Sequence, residues 1–134
     1  MIGPKTGSSS ILGDIPLVCV VDDDESVRES LPDLLREFGF AARAFPSAEE
    51  FLSSGYYDQT RCLILDIVMP GMSGPDLQRE LKRRQKIIPI IFVTGEGNGT
   101  LRSRMLKQGA VECLFKPFSD TALLQALNLA LQAS

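Results

Sequence analysis

A chain of 134 residues, 44% hydrophobic and 23% charged, has room for one domain with its own core, and its ordinary globular composition excludes disordered, collagen-like and coiled-coil classes. Its 14 basic and 17 acidic side chains leave a net charge of −3, which excludes a generally cationic nucleic-acid binder. The absence of histidine excludes a His-based triad, an imidazole base and a phosphohistidine carried by this chain, and no apolar run approaches the roughly 20 residues of a membrane span.

Residues 1–16, with the stretch GPKTGSSS, read as a flexible tail without the apolar core of a signal peptide. Beyond it, short apolar runs alternate with helix-length amphipathic segments. The runs cover residues 17–21 (LVCVV), 40–45, 62–65 (CLIL), 87–93 (IIPIIFV) and 111–115. In the first helical segment Val27, Leu31, Leu34, Leu35 and Phe38 form one apolar stripe. Pro32 interrupts its hydrogen bonding at a cost of about 3 kcal/mol. The stripe nevertheless predicts that the helix continues through it. The last helix opens at Ser119 as N-cap, with Ala122, Leu123, Ala126, Leu127, Ala130 and Leu131 on one side. Five strands alternating with five helices predict an α/β, doubly wound parallel sheet covered on both faces. Cys19, Cys62 and Cys113 are odd in number and form no CxxC pair, so they read as reduced, buried small hydrophobes of a reducing, cytoplasmic compartment.

In such a sheet ligands bind outside the carboxyl ends of the strands. The first run ends in Asp22, Asp23, Asp24 and Glu25, the third in Asp66, the fourth in Thr94, and the fifth in Lys116 followed by Pro117. Taken singly these residues have ordinary uses. Acids opening a helix are caps and macrodipole partners, the role assigned to Asp24 and Glu25; Thr94 suits a turn before Gly95, and Lys116 a solvated charge. Together they form a site. Crowded carboxylates repel one another unless a cation sits among them, and a hard divalent ion such as Mg²⁺ (or Mn²⁺) takes carboxylate and phosphate oxygens. Thr94 offers a donor and Lys116 a point charge to a phosphoryl group. A carboxylate can itself attack phosphorus, and Asp66 stands alone at the end of a central strand, whereas Asp22 and Asp23 form a pair suited to metal. The cluster Arg79, Lys82, Arg83, Arg84 and Lys86, opposite Leu77 and Leu81 on the third helix, reads as a solvated face.

The segments VVDDDESVRESL, LILDIVMPGMSG, IIFVTGEGN and GAVECLFKPF, in that order, resemble the receiver domain of bacterial response regulators, the CheY-like superfamily, and AFPSAEEFL is most similar to FixJ-type receivers. The resemblance spans residues 17–132. It implies a (βα)5 flavodoxin-like fold with strand order 2-1-3-4-5 and a role in two-component phosphorelay signalling. Asp66 would be the phosphoacceptor. Asp23, Asp66 and the backbone carbonyl of Val68 would ligate the metal, with Asp22 acting through coordinated water. Thr94 and Lys116 would bind phosphoryl oxygens, and the Lys116–Pro117 bond is often cis in the family.

The implied partners are a sensor histidine kinase or phosphotransfer protein, an output domain or downstream protein, and a second copy through the fourth helix and fifth strand. Neither direct nucleic-acid binding nor membrane contact is implied. A fold that consumes residues 17–132 leaves no room for an output domain, so the receiver acts alone by docking or comes from a longer regulator. The family's switch aromatic, three positions before the lysine, is here Cys113, which lacks the surface for an aromatic ring's movement. Val68 is apolar and cannot orient an attacking water, which predicts slow loss of the phosphoryl group. Two alternatives stand beside the receiver: a pseudo-receiver that binds partners without phosphorylation, and an aspartyl phosphatase of the haloacid-dehalogenase type. The phosphatase fits Asp22-Asp23-Asp24 superficially but wants more acids after the lysine than Asp120. A flavodoxin-like cofactor binder is disfavoured, because an acidic first loop repels phosphate.

Overall fold

The computed structural model describes residues 15–132. The first strand, β1 (Leu17–Val21), leads into α1 (Glu25–Glu37). The helix starts at Asp24, whose extended backbone frees its carboxylate to accept the Ser26 N–H at 2.9 Å. It runs unbroken through Pro32, which supplies no N–H to the carbonyl of Arg28. Burial decides the matter: Leu31, Pro32 and Leu35 are all buried against the sheet, and burying each leucine is worth about 1.5–3 kcal/mol against the roughly 3 kcal/mol cost of the proline.

The chain continues as β2 (Ala41–Phe45), the short α2 (Ala48–Ser53) capped by Ser47, a 3₁₀ turn (Tyr56–Asp58), and β3 (Thr60–Asp66). Next come α3 (Gly74–Arg83), β4 (Ile90–Thr94), α4 (Gly99–Lys107), β5 (Glu112–Phe115) and α5 (Asp120–Gln132). Ser73 and Asp76 close a reciprocal capping box on α3, Asn98 caps α4, and Ser119 Oγ accepts the Ala122 N–H of α5 at 3.0 Å.

All four strand pairings are parallel and the sheet order is β2-β1-β3-β4-β5, the order that the resemblance to receiver domains implies. Alternation along the strands divides the core in two. Val18, Val20, Cys62, Ile64, Ile91 and Val93 face Leu31 and Leu35 of α1 and Leu123 and Leu127 of α5. Cys19, Leu63, Leu65 and Phe92 face the side covered by Phe51 of α2, Leu77 and Leu81 of α3, and Met105 of α4. Right-handed crossovers therefore place every strand's carboxyl end on one edge. The three cysteines are buried and free, and burial pushes the Cys62 thiol up to about 12.

The structure corrects some boundaries. The apolar run 87–93 predicts a strand from Ile87, but β4 begins at Ile90 and Ile87 is 98% exposed. Pro89 has no N–H for the ladder, and it joins the sheet only through its carbonyl, which accepts the Leu63 N–H at 2.9 Å. Before it, Gln85 takes a left-handed backbone (φ 61°) that turns the chain out of α3. Helix α3 consequently ends at Arg83, and only part of the basic cluster lies on it. Arg79, Lys82 and Arg83 are exposed, whereas Arg84 and Lys86 are half-buried beyond the helix beside the Tyr57 ring. Much of the cluster is neutralised: Arg79 pairs with Asp76, Arg83 and Arg84 share Glu80, and Lys86 pairs with Asp58. Of the tail expected over residues 1–16, residues 1–14 lie outside the described residues. Pro16 already accepts the Ala41 N–H at 3.0 Å.

Gly74 fixes how closely α3 approaches the end of β3. A Cβ there would lie 2.4 Å from the Asp66 carbonyl oxygen, 3.0 Å from the Phe92 ring and 3.1 Å from Ile67 Cα, all parts of the packed core. Gly74→Ala is expected to destabilise the fold by about 2–4 kcal/mol, read as a lower urea midpoint at unchanged slope.

Candidate functional site

The carboxyl edge of the sheet gathers its polar residues because each apolar strand stops there. Asp22 follows β1 directly and is fully buried. Its N–H donates to the Phe45 carbonyl at 3.1 Å, and Arg28 Nη1 donates to the Asp22 carbonyl at 3.1 Å, so the residue is held from both sides. Asp22 Oδ1 accepts the Asp24 N–H at 2.9 Å. Asp22 Oδ2 faces Lys116 Nζ at 2.8 Å in an ion pair. Asp66 is the last residue of β3, 6% exposed, with Oδ2 3.9 Å from the same ammonium. Asp23 is exposed at the mouth. Carboxylate oxygens of Asp22, Asp23 and Asp66 lie within 4.8 Å of one another.

Burial, then the neighbouring Asp22 charge, pushes the Asp66 carboxyl up to about 7 against the opposing pull of Lys116. Burial works against the Lys116 ammonium, but the carboxylates of Asp22, Asp66 and Asp24 outweigh it and hold its pKa above the ordinary value. Its backbone is fixed by donation to the Thr94 carbonyl at 2.8 Å, and the Lys116–Pro117 peptide is cis.

Thr94 closes β4 and is 1% exposed. Its hydroxyl donates to the Glu96 carbonyl at 2.8 Å and accepts the Glu96 N–H at 3.2 Å, so it is engaged in its own loop. Val68 lies two residues past Asp66 with 61% of its surface exposed. Between α1 and the start of α5 a cleft of about 530 Å³ opens beside Lys116, lined by Val27, Leu31, Leu34, Pro117 and Phe118 among others.

The donor set fits a hard divalent cation. One ammonium stands against three carboxylates whose oxygens lie within 4.8 Å of one another, two of them on buried residues.

This arrangement has close counterparts. The family model for the response regulator receiver domain matches residues 18–128. The chain belongs to this family. Nodulation protein W of Bradyrhizobium diazoefficiens is 49% identical over 114 residues, which cover 85% of this chain and 50% of that protein. Among solved structures, the response regulator StyR superposes with a TM-score of 0.80 at 47% identity, covering 89% of this chain and 60% of that one. FixJ-N gives a TM-score of 0.78 at 38% identity and 89% coverage, with 95% of its own chain covered. The receiver spans about half the length of the curated relatives it matches.

The fold therefore brings Asp22, Asp23, Asp66 and Lys116 of this receiver together, with Val68 beside them. The Thr94 side chain is present but points its proton at Glu96. Cys113 lies away from this group: it is 1% exposed, pairs with Phe92 across the sheet and packs in the core, where burial raises its thiol pKa. Phe115 pairs with Thr94, and a Cβ on Gly97, in the loop between β4 and α4, would come within 2.8 Å of its ring. Two further contributors depend on contacts between distant segments. Gly74 permits the approach described above, and Glu49 reaches the loop after β3.

The raised Asp66 pKa has a consequence for the metal-free protein. Between about pH 4 and pH 7 the unfolded chain has lost this proton while the folded one retains it, so folding stability falls as pH rises through that window and levels off above it. Asp66→Asn removes the repulsion and is expected to raise stability at pH 7.5 in EDTA by about 1–3 kcal/mol, with little effect at pH 4, measured by urea unfolding at both values.

Proposed function

We propose that this receiver accepts a phosphoryl group on Asp66 from the phosphohistidine of a sensor histidine kinase or phosphotransfer protein, with Mg²⁺ required, and that the modification changes the surface it presents to an output domain or downstream protein. The observation that carries the proposal is the single edge on which buried Asp66 and Asp22 meet half-buried Lys116, their Oδ2 atoms 3.9 and 2.8 Å from its one ammonium. The donor must come from outside, because the chain has no histidine. The cleft between α1 and the start of α5, which Lys116 lines, offers a partner a place to rest.

An Asp66 carboxylate oxygen attacks phosphorus as the phosphorus–nitrogen bond of the donor breaks. The departing imidazole nitrogen keeps the electron pair and takes a proton from solvent, leaving an acyl phosphate on Asp66. Asp23, Asp66 and the Val68 carbonyl would hold Mg²⁺ (or Mn²⁺), with Asp22 acting through a coordinated water; the ion supplies positive charge to the phosphoryl oxygens. Lys116 neutralises a further oxygen. Thr94 donates to the phosphoryl group only after its hydroxyl leaves the Glu96 carbonyl. The residues serve one transfer and then hold its product, so the protein is an acceptor rather than a turnover enzyme, acting in the cytoplasm. Pairing with a second copy through the α4–β5 face, where Arg102 and Glu112 form a two-point ion pair at 2.8 and 3.1 Å, belongs to the same proposal.

With an acyl phosphate donor and Mg²⁺, the wild-type chain is expected to take up one phosphoryl group; Asp66→Asn and EDTA each abolish uptake, and undiminished labelling of Asp66→Asn rejects the assignment. Exposed, apolar Val68 leaves no polar group there to orient water, so the phosphoprotein is expected to persist far beyond seconds without a phosphatase. A lifetime of seconds in a rapid-quench time course counts against that role. Addition of beryllofluoride is expected to shift amide signals across residues 97–118, around Gly97 and Phe115. Unchanged spectra there favour a partner-binding module uncoupled from phosphorylation.

A further inference from the structure

The loop between β3 and α3, residues 67–73, carries the Val68 carbonyl, and its two ends are held differently from its tip. At the base, the Ile67 N–H continues the ladder to Val93 at 3.1 Å and the Gly74 N–H closes on the Ile67 carbonyl at 3.0 Å. At the far end, the Ser73 N–H is taken by the Asp76 carboxylate at 3.1 Å. The tip is held from elsewhere. Glu49 Oε2, from the first turn of α2, accepts the Met72 N–H at 3.0 Å across 23 residues of sequence. Among the described residues it is the one side chain outside the loop and α3 that hydrogen-bonds this tip.

The adjacent glycine is shaped around this contact. Gly71 has φ 76°, in the left-handed region, and a Cβ there would lie 2.8 Å from the same Oε2. Any other residue would meet both backbone strain and the carboxylate. Helix α2 is a fixed platform for this purpose: Ser47 caps it, and Ala48 and Phe51 are fully buried in the core. Glu49 itself is exposed, and the side-chain hydrogen bond it makes is to this loop, so its action on the site passes through the loop.

We propose that Glu49 is a positioning residue: by tying the Met72 amide to α2 it holds the loop so that the Val68 carbonyl stays aimed at the metal position. The proposal rests on the phosphoacceptor reading above. It makes the acid within AFPSAEEFL part of the metal-binding apparatus, although it is no ligand. A carboxylate suits the task, since a charged acceptor holds an amide more firmly than a neutral one and backbone carbonyl ligands depend on their support.

The test compares the full chain with Glu49→Ala, Glu49→Gln and Glu50→Ala, the last removing an equal charge from the same helical turn without touching the loop. Mg²⁺ affinity is measured by calorimetric titration, Met72 amide exchange is followed in EDTA, and phosphoryl uptake is measured at limiting and saturating Mg²⁺. Glu49→Ala is expected to speed Met72 exchange and to raise the Mg²⁺ Kd about three- to tenfold, with uptake restored at saturating Mg²⁺. Glu49→Gln, which keeps a weaker, neutral acceptor oxygen, falls between wild type and Glu49→Ala, whereas Glu50→Ala stays near wild type. An unchanged Kd in Glu49→Ala overturns the proposal, and so does an equal weakening in Glu50→Ala, which assigns the effect to helix charge. A wild-type chain that binds no Mg²⁺ and takes up no phosphate overturns the phosphoacceptor reading itself, whereas a normal wild type beside an unaffected Glu49→Ala overturns the tether alone.

Discussion

Three carboxylates and one ammonium crowd the carboxyl edge of the central strands, and their imbalance governs the rest of the site. At separations of a few ångströms, with two of the acids shielded from water, each negative charge raises the cost of the next. Lys116 relieves part of this by facing both Asp22 and Asp66, at 2.8 and 3.9 Å, but one cation cannot neutralise three anions. The residual charge is a standing demand for a small hard cation and for a polar ligand beside it. Such a site is costly to build, and the surrounding core provides the stability that tolerates it.

That core explains why the acids sit where they do. Strands β1, β3 and β4 are buried on both faces, so they admit almost nothing but apolar side chains until they leave the helices' cover. The first polar residue after each run marks the place where cover ends. Parallel strands with right-handed crossovers bring those places to one edge, so a one-dimensional pattern of interrupted hydrophobicity becomes a three-dimensional cluster of charge. The uneven charge of the whole chain follows: acids surround the ends of β1 and β3, while bases gather on α3 and the turn beyond it.

Much of this was legible in the sequence because the signals were local. Asp24 and Ser119 cap helices where short polar side chains precede periodic segments, and Asp66 and Lys116 end apolar runs. The stripe from Val27 to Phe38 outweighed Pro32, as the burial of Leu31 and Leu35 requires. Ile87 escaped the same reasoning, because hydrophobicity alone does not register that Pro89 withholds a ladder hydrogen bond. Thr94 was found as a residue, yet the direction of its hydroxyl is a side-chain rotation that no pattern encodes. Glu49 and Gly74 depend on approaches between segments far apart in sequence; a glycine in the string GMSG shows a tolerance for close packing but not which atoms come close.

The double engagement of Thr94 with Glu96 sets the balance of the loop between β4 and α4 before any ligand arrives. Two hydrogen bonds, each worth a net of about 0.5–1.5 kcal/mol, bias the hydroxyl toward its own loop by roughly a factor of ten or more. A loop so weighted idles in one arrangement, and a group that recruits Thr94 must supply at least that much differential affinity to invert the populations. The same weighting acts in reverse when the group departs. The loop then returns of its own accord, because both partners of the two hydrogen bonds belong to it.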